Sequence, residues 1–438
     1  MIILIQNDFQ EGHTEGVELP LKLYYKGVEQ TQLDKDEVIS LCRISMPVNQ
    51  KRNMMNASSN YRIIDAIIET VRIGVNMKNF YIAGASSRAR TARVYLEYLN
   101  ADMKISAFLV SPEMADNEPV VDGVPVLKIK QPLDTSFPVY LGTRGVNHPK
   151  LENELRAIGF TDIIPIDMRL DLELRNAYLA KFYSENGREF VRMDMLDAEG
   201  REENTEKSAI IYVANSIFDG ELKDKYSLLP EEEKIQVGCA LTEKRLEGCS
   251  IFDNTGDNIS KLNRQFCELT GLYWIWKNAR EDYVGLVHYR RHFLLQSDWP
   301  DVCEKNNIDA ILPVPLYVSP GISENYRERH IASDWDFLMD YFEKELPDEY
   351  DDMIRILGGN LYSPCNMIIA KREVLSELCS WMFPIIFAVY EHGEKSGIER
   401  DPYQSRYPGF VSERLMTYFF ESRRDRFNVV YCNKNFLN

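Results

Sequence analysis

Two histidines and two arginines stand together in the segment His288-Tyr289-Arg290-Arg291-His292, directly after the apolar run YVGLV. If that run is a strand of an open α/β sheet, the segment lies at its carboxyl end, where such sheets bind ligands. Two guanidinium groups there suit bidentate recognition of phosphate or carboxylate. The sequence therefore indicates an anion site. The alternative is that both arginines form ion pairs with carboxylates at a domain junction.

The overall charge makes this basic segment conspicuous, because the chain carries 68 acidic and 51 basic side chains, a net charge of −17. This acidic balance argues against nucleic-acid binding, since neutralising phosphates needs a basic face. A composition of 45% hydrophobic and 27% charged residues is typical of globular proteins, and it excludes a disordered or collagen-like chain. The eight cysteines are scattered without a C-x-x-C pair, which favours a reducing compartment over disulfides or zinc.

The localisation signals are few. The first residues, MIILIQNDFQEGH, lack the basic region and cleavage site of a signal peptide. The longest uninterrupted apolar stretch, Trp381 to Tyr390, is about half the length needed to span a bilayer. We therefore expect a cytoplasmic protein without a spanning segment, with peripheral attachment to the inner face of the plasma membrane left open.

The elements that position the basic segment belong to a chain long enough for two or three domains. A polar, charged stretch near 184–208 lacks apolar periodicity and predicts a linker. The predicted order along the chain is an N-terminal extension, a Rossmann-like domain, a linker and a second α/β domain: 1–55, 56–185, 186–207 and 208–438.

The first domain alternates helical and strand patterns, which predicts a parallel sheet. Helical spacing over Met54 to Val75 is followed by the strand NFYIA and the turn GASSRAR. Only Gly84 stands where a dinucleotide fingerprint has three glycines. We therefore expect no dinucleotide cofactor, and we expect Gly84 to serve a plain strand-to-helix turn.

In the second domain, AIIYVA and YVGLV predict buried strands, and Ser260 to Lys277 predicts one amphipathic helix. Five residues place a single apolar face on that helix: Leu262, Phe266, Leu269, Tyr273 and Trp276. The strands and helices that follow predict a mixed α/β sheet.

Three segments resemble, in order, the DUF4422 family: TGDNISKLNRQFCELTGLYWIWKNAREDYVGLVHYRRHF, NMIIAKREVLSELCSWMF and RYPGFVSERL. The resemblance covers roughly 208–436. Members are glycosyltransferase domains from bacterial capsule and cell-wall polysaccharide genes, so the resemblance implies a GT-A-like fold and a nucleotide-sugar donor. Relatives similar to galactofuranosyltransferases imply a UDP-hexose, in pyranose or furanose form. The chain departs from the family at Asn215-Ser216, where a Thr-His-Lys turn is common.

The resemblance also implies roles for individual residues. An inverting transfer needs a carboxylate that takes the acceptor proton, and Glu413 is the first candidate and Glu268 the second. Simple helix-capping and ion-pairing roles are the alternatives for these two. Donor or diphosphate binding is expected of His288, Tyr289, Arg290, Arg291, Arg406, Arg414, Asp257, Asn258, Asn263 and Trp274. For this set, loop, cap and core roles remain open.

A divalent metal is possible but not favoured. GT-A enzymes commonly hold a cation with an Asp-x-Asp, because oxygen ligands suit hard cations. Here the arginines of the basic segment stand at the comparable strand end and are expected to do the cation's work. An Asp-x-Asp does occur at Asp334-Trp335-Asp336, but it is expected to open a helix, where acidic residues suit the dipole.

The resulting expectation is a hexosyltransferase that acts on a growing cell-surface polysaccharide or lipid-linked glycan, with no required cofactor and no nucleic-acid partner. Two rivals stay open. One is a phosphosugar or glycerol-phosphate transferase that uses the same anion site. The other is a non-catalytic scaffold of polysaccharide assembly. The oligomeric state is unknown.

Overall fold

The computed structural model describes residues 77–114, 118–130, 132–199 and 207–437, together with strands at 3–6, 21–25 and 28–33. The chain divides into two compact units, Met1–Ile166 and Asp167–Asn438. Both contain β-sheets, and helices and parallel strands alternate along the described chain, so the expected α/β class is confirmed. The predicted helix from Met54 to Val75 lies outside the described residues.

The first unit contains two sheets. An antiparallel sheet is formed by β1 (Ile3–Gln6), β2 (Leu21–Tyr25) and β3 (Val28–Leu33). The remaining elements are β4 (Lys78–Ala83), α1 (Ser87–Leu99), β5 (Met103–Val110), β6 (Val120–Val121), β7 (Val124–Lys128), β8 (Val139–Leu141), α2 (His148–Ala157) and β9 (Ile163–Pro165).

The second sheet of this unit runs β6-β7-β5-β4-β8-β9, and all its pairings except the β6–β7 hairpin are parallel. Counting only the parallel strands, the order is 3-2-1-4-5. Gly84 has a φ of 111°, and a Cβ there would lie 2.7 Å from the Thr143 side chain. A tight strand-to-helix turn explains this glycine without any ligand.

The second unit is built on a seven-stranded sheet. Its strands are β10 (Ala209–Asn215), β11 (Glu232–Gln236), β12 (Ile251–Phe252), β13 (Tyr283–His288), β14 (Ala310–Pro313), β17 (Ile368–Lys371) and β18 (Val429–Cys432), and a separate hairpin pairs β15 (Leu316–Tyr317) with β16 (Leu361–Tyr362). Its helices are α3 (Met168–Glu185), α4 (Asn263–Phe266), α5 (Leu269–Asn278), α6 (Trp299–Lys305), α7 (Ile322–Arg329), α8 (Ala332–Glu345), α9 (Pro347–Leu357), α10 (Arg372–Lys395) and α11 (Tyr407–Ser422).

The sheet order is β12-β11-β10-β13-β17-β14-β18, in which β17 alone runs antiparallel to its neighbours. Tyr283 to Val287 of β13 are all buried, which accounts for the continuous apolar run YVGLV. The parallel pairing of β10 with β13 places Ala214 opposite His288. The carboxyl ends of these two strands therefore lie side by side.

The two compact units divide after Ile166, whereas the predicted first domain extends to residue 185. Helix α3 belongs to the second unit, because the Tyr183 hydroxyl lies 2.9 Å from the Tyr431 hydroxyl and Tyr178 packs edge-on against Tyr317. The described part of the predicted linker also packs there. Val191 O accepts a hydrogen bond from Tyr431 N, and Met193 is buried in the core cluster beneath the sheet.

The single helix predicted over Ser260 to Lys277 is broken. Residues 260–262 form a 3₁₀ turn, α4 ends at Phe266, and α5 begins at Leu269. Cys267, with a φ of 47°, makes the break. The apolar face persists across it, which is why periodicity alone indicated one continuous helix.

Helix α10 is long and apolar enough, by length and composition, to cross a membrane, and half of its most apolar window is buried inside the protein. Pro384 lies within it. Among the described residues all seven cysteines are free thiols.

Candidate anion-binding site

A cavity of about 450 Å³ opens at the carboxyl ends of β10 and β13. Its wall comes from the loop after β10, from α4 and the two residues between α4 and α5, and from the basic segment after β13. Val237 and Arg406 complete it. The lining residues are Ala214, Ser216, Phe218, Asp219, Val237, Asn263, Arg264, Cys267, Glu268, His288, Tyr289, Arg290, Arg291 and Arg406. The position agrees with the rule that ligands bind beyond the carboxyl ends of strands.

The basic segment turns back on itself at once. His288 N donates to Arg291 O at 3.2 Å, and Arg291 N donates to His288 O at 3.0 Å. Tyr289 N donates to Ala214 O and so ties the turn to β10. This compact turn presents both arginines at the same end of the sheet. The structure therefore brings His288, Tyr289, Arg290 and Arg291 together in one cavity.

Four arginines line the cavity: Arg264, Arg290, Arg291 and Arg406. In the described part of the chain none of them has a carboxylate within 4.0 Å. Their contacts are with neutral groups instead. Arg406 Nε donates to Cys267 Sγ at 3.2 Å, and Arg290 donates to the Tyr289 hydroxyl. Arg290 and Arg291 are partly buried, whereas Arg264 and Arg406 are exposed. Four guanidinium groups that line one cavity without a carboxylate partner favour an anionic ligand, because charged acceptors form the strongest hydrogen bonds with them.

Glu268 faces this basic wall directly before α5 begins. Its Oε1 accepts a hydrogen bond from Asn366 Nδ2 at 2.9 Å and lies 3.7 Å from His288 Nε2. Burial lowers the pKa of His288, so its imidazole is neutral at pH 7. Arg291 Nη1, a donor, lies 3.2 Å from Nδ1, which places the imidazole proton on Nε2, on the side of Glu268.

Sequence reasoning missed Asp219, Phe218 and Arg264. Asp219 Oδ2 accepts a hydrogen bond from Ser216 N at 2.6 Å. Its carboxylate is accessible at the cavity mouth, but loss of surrounding water raises its pKa to about 6, against the opposing influence of Ser216 N–H and Arg290. The position of Phe218 and Asp219 could have indicated them, because their segment SIFDG directly follows a buried parallel strand.

Glu413 and Arg414 lie outside the cavity wall. Glu413 Oε1 accepts from Cys365 N at 2.6 Å, and Oε2 accepts from Arg414 Nη1 at 2.7 Å. Burial raises the pKa of Glu413, and Arg414 opposes that rise. The Arg414 guanidinium also stacks on the Tyr362 ring at 4.7 Å. Both carboxylate oxygens of Glu413 are thus engaged with the protein, and among the described residues Arg414 donates through Nη1 only, to Glu413 and to Phe410 O.

The remaining predicted donor residues divide between the cavity and its surroundings. Asn263 lines the cavity and donates to Thr270 Oγ1 at 2.9 Å. Asp257, Asn258 and Trp274 do not line it. Their polar atoms make local hydrogen bonds, for example from Trp274 Nε1 to Thr255 Oγ1 at 2.9 Å.

A buried carboxylate that the sequence did not single out organises the same loops. Asp253 accepts hydrogen bonds from two backbone amides and two hydroxyls: Gly238 N, Cys239 N, Ser260 Oγ and Thr270 Oγ1. Asn263, which lines the cavity, shares Thr270 with it. Asp253 thus orders the loops that support the cavity residue Asn263.

The Asp-x-Asp motif lies near the start of α8, as expected, and both of its carboxylates are paired. Asp334 is buried and accepts two hydrogen bonds from Arg400, at 2.6 and 2.7 Å, and Asp336 pairs with Arg327. Across the described ranges, no three His, Cys, Asp or Glu side chains stand close enough to hold a metal ion.

A family model matches the part of the chain that supplies most, but not all, of the cavity lining. Residues 223–424 match DUF4422, a domain of unknown function. The matched range contains Glu268 and the four cavity arginines. It leaves the loop with Phe218 and Asp219 outside. No curated protein matches the chain.

One solved structure, titled as the apo form of the WbbM bifunctional glycosyltransferase, is similar over 53% of this chain. The identity is 22% and the TM-score is 0.44. The alignment spans 45% of that chain, less than half of its length.

Proposed function

We propose that the protein is a glycosyltransferase that moves a hexose, in pyranose or galactofuranose form, from a nucleotide-diphosphate sugar to a cell-surface polysaccharide or lipid-linked glycan. The observation that carries the proposal is the cavity with four arginines and no carboxylate partner among the described residues. A diphosphate offers the charged acceptors that such donors favour. The DUF4422 match around these arginines supports transfer chemistry, through the resemblance of that family to polysaccharide glycosyltransferases.

In the proposed reaction the acceptor hydroxyl attacks C1 of the donor sugar, and the bond between C1 and the diphosphate oxygen breaks. Glu268 takes the hydroxyl proton, because it is the carboxylate held inside the cavity by Asn366. Arg290 and Arg291 stabilise the negative charge that develops on the departing diphosphate. Attack opposite the leaving group inverts the configuration at C1.

The proposed enzyme needs no metal ion, because the arginines neutralise the leaving group. The full engagement of Asp334 and Asp336 with arginines supports this part of the proposal. A GT-A-like second unit is supported by its mixed sheet, with the anion site at the carboxyl ends of the central parallel strands. We place the reaction at the cytoplasmic face of the membrane, where a lipid-linked acceptor would be presented.

The test is a calorimetric and thermal-shift screen of the full chain against UDP-, GDP-, CDP- and dTDP-hexoses, each with EDTA and with manganese. A ligand that binds the native state raises the melting temperature. We expect one nucleotide to bind equally in EDTA and manganese, and Arg290→Ala to abolish that binding. Arg169→Ala, which removes an arginine with an 85% exposed side chain elsewhere, is the control.

Three results would count against the proposal. Binding that needs manganese would remove its metal-free part. A product that carries the donor phosphorus would favour a phosphosugar or glycerol-phosphate transferase. If none of the sugar nucleotides binds, even in the presence of lipid-linked acceptor, the result would favour a non-catalytic scaffold.

A further inference from the structure

The segment Asn433–Leu437 runs along the basic segment of the cavity. Backbone hydrogen bonds of 2.7 to 3.0 Å join Leu294 N to Asn433 O, Asn435 N to His292 O, and Leu437 N to Arg290 O. His292 N also donates to the Asn435 side chain at 2.7 Å. Leu437 is buried. The segment is therefore held on both sides of Phe436.

This pairing places the Phe436 ring against both arginines of the turn. The ring centroid lies 5.8 Å from the guanidinium carbon of Arg290 and 5.3 Å from that of Arg291. Phe436 is 45% exposed, so its ring contributes less to a buried core than to this surface contact. An aromatic side chain in this position makes cation–π contacts with two cavity arginines at once.

Each guanidinium uses one nitrogen within the turn, Arg290 Nη2 toward the Tyr289 hydroxyl and Arg291 Nη1 toward His288 Nδ1. The remaining N–H groups are left for a ligand. A guanidinium stacks through its face, whereas its N–H donors lie in its plane. Arg290 Nε has no hydrogen-bond partner among the described residues, although it is shielded from water. A ring that fixes the plane of the group reduces the ordering that a ligand would otherwise have to impose.

We infer that Phe436 is a positioning residue, which holds the planes of Arg290 and Arg291 so that their N–H edges meet a diphosphate. The inference rests on the proposed function only for the identity of that anion. It assigns a binding role to a residue outside the matched range 223–424 and outside the cavity wall. Phe436 acts through the arginines and touches no reacting atom.

The experiment compares the full-length wild type with Phe436→Leu and Phe436→Tyr, and titrates each with inorganic pyrophosphate by calorimetry. Leucine keeps apolar bulk without a π face, and tyrosine keeps the ring. We expect the leucine variant to bind about fivefold to thirtyfold more weakly, as loss of one or two cation–π contacts implies. The tyrosine variant should bind within about twofold of wild type. Both melting temperatures should stay near that of wild type.

A second measurement keeps the inference testable if either variant is less stable. In ¹⁵N-resolved proton spectra, the Phe436 ring current should shift the Arg Nε–H signals of wild type and of the tyrosine variant, and the leucine variant should lack that shift.

Equal pyrophosphate affinity of wild type and the leucine variant would overturn the inference, as would equal weakening in both variants. Pyrophosphate binding without any sugar-nucleotide binding would leave the role of Phe436 standing and contradict the proposed function. Failure of wild type to bind either would refute both.

Discussion

The carboxylate of Glu268 stands 3.7 Å from His288 Nε2, a nitrogen without a hydrogen-bond partner in the described part of the chain. Asn366 holds the same carboxylate at 2.9 Å. A proton-accepting group is thereby fixed in the cavity, at an orientation set by its neighbours. The other candidate base, Glu413, has both oxygens committed to Cys365 N and Arg414.

Replacing Glu268 by glutamine should lower turnover by about 100-fold or more, because a general base is lost. Affinity for the sugar nucleotide should be unchanged or higher, since a negative charge leaves an anion site. Single-turnover rates and calorimetry measure the two quantities separately. In Glu413→Gln we expect lower stability and a smaller loss of turnover. If turnover falls further in Glu413→Gln than in Glu268→Gln, the base is Glu413.

Substitution of Arg264 tests the anion site with little effect on the fold, because Arg264 is exposed and has no carboxylate partner among the described residues. Arg264→Ala should weaken sugar-nucleotide binding by about tenfold, the value of one hydrogen bond to a charged group. The melting temperature should not change. Increasing salt should weaken binding less in the variant than in wild type, because one attractive charge is missing. A variant with wild-type affinity would remove Arg264 from the site.

Asp219 should make anion binding depend on pH. Its pKa is raised to about 6 by loss of surrounding water, so it is ionised at pH 7.5 and mostly protonated at pH 5. Protonation removes a negative charge next to Arg290, and affinity for a sugar nucleotide should therefore rise as the pH falls through about 6. The diphosphate diester keeps its own charge over this range. Calorimetric titrations at several pH values should show the rise in wild type, whereas Asp219→Asn should give a flat profile.

Substitution of Asp253 should lower the free energy of unfolding more than substitution of any exposed residue that was predicted to bind the donor sugar. It is fully buried and accepts four hydrogen bonds. Asp253→Asn should lower the free energy of unfolding by about 3 kcal/mol or more, because an amide nitrogen cannot accept and buried donors lose their partner. The control is Asp257→Asn, at an exposed position, which should stay within about 0.5 kcal/mol of wild type. Denaturant unfolding measures both, and equal effects would contradict this account.

Much of the fold is predictable because it depends on local apolar pattern. NFYIA and YVGLV are buried runs and form β4 and β13. The cavity arginines of the basic segment were also predictable, since the rule about strand ends needs only a strand followed by unusual residues. What escaped prediction depends on the path of the chain in space. Nothing in SERL shows that Glu413 is directed to Cys365 N, which is 48 residues away.

The break at Cys267 shows a different limit. Apolar spacing at 262, 266 and 269 fits one helix, and only the backbone shows that Cys267 has a positive φ. The break matters for the site, because it places Glu268 just before a new helix instead of in the middle of an old one. Periodicity reports which side of a segment is apolar, but it does not report whether the axis is continuous.

The attachment of residues 191–193 to β18 has a practical consequence for fragments of this protein. Strand β18 is the last strand of its sheet, and its outer edge is covered where Val191 and Arg192 pair with Tyr431. A fragment that starts at Ser208 would leave that edge bare and would remove Met193 from the core cluster. Bare edges pair with other chains. Such a fragment should self-associate, whereas one that starts before Asp167 should remain monodisperse.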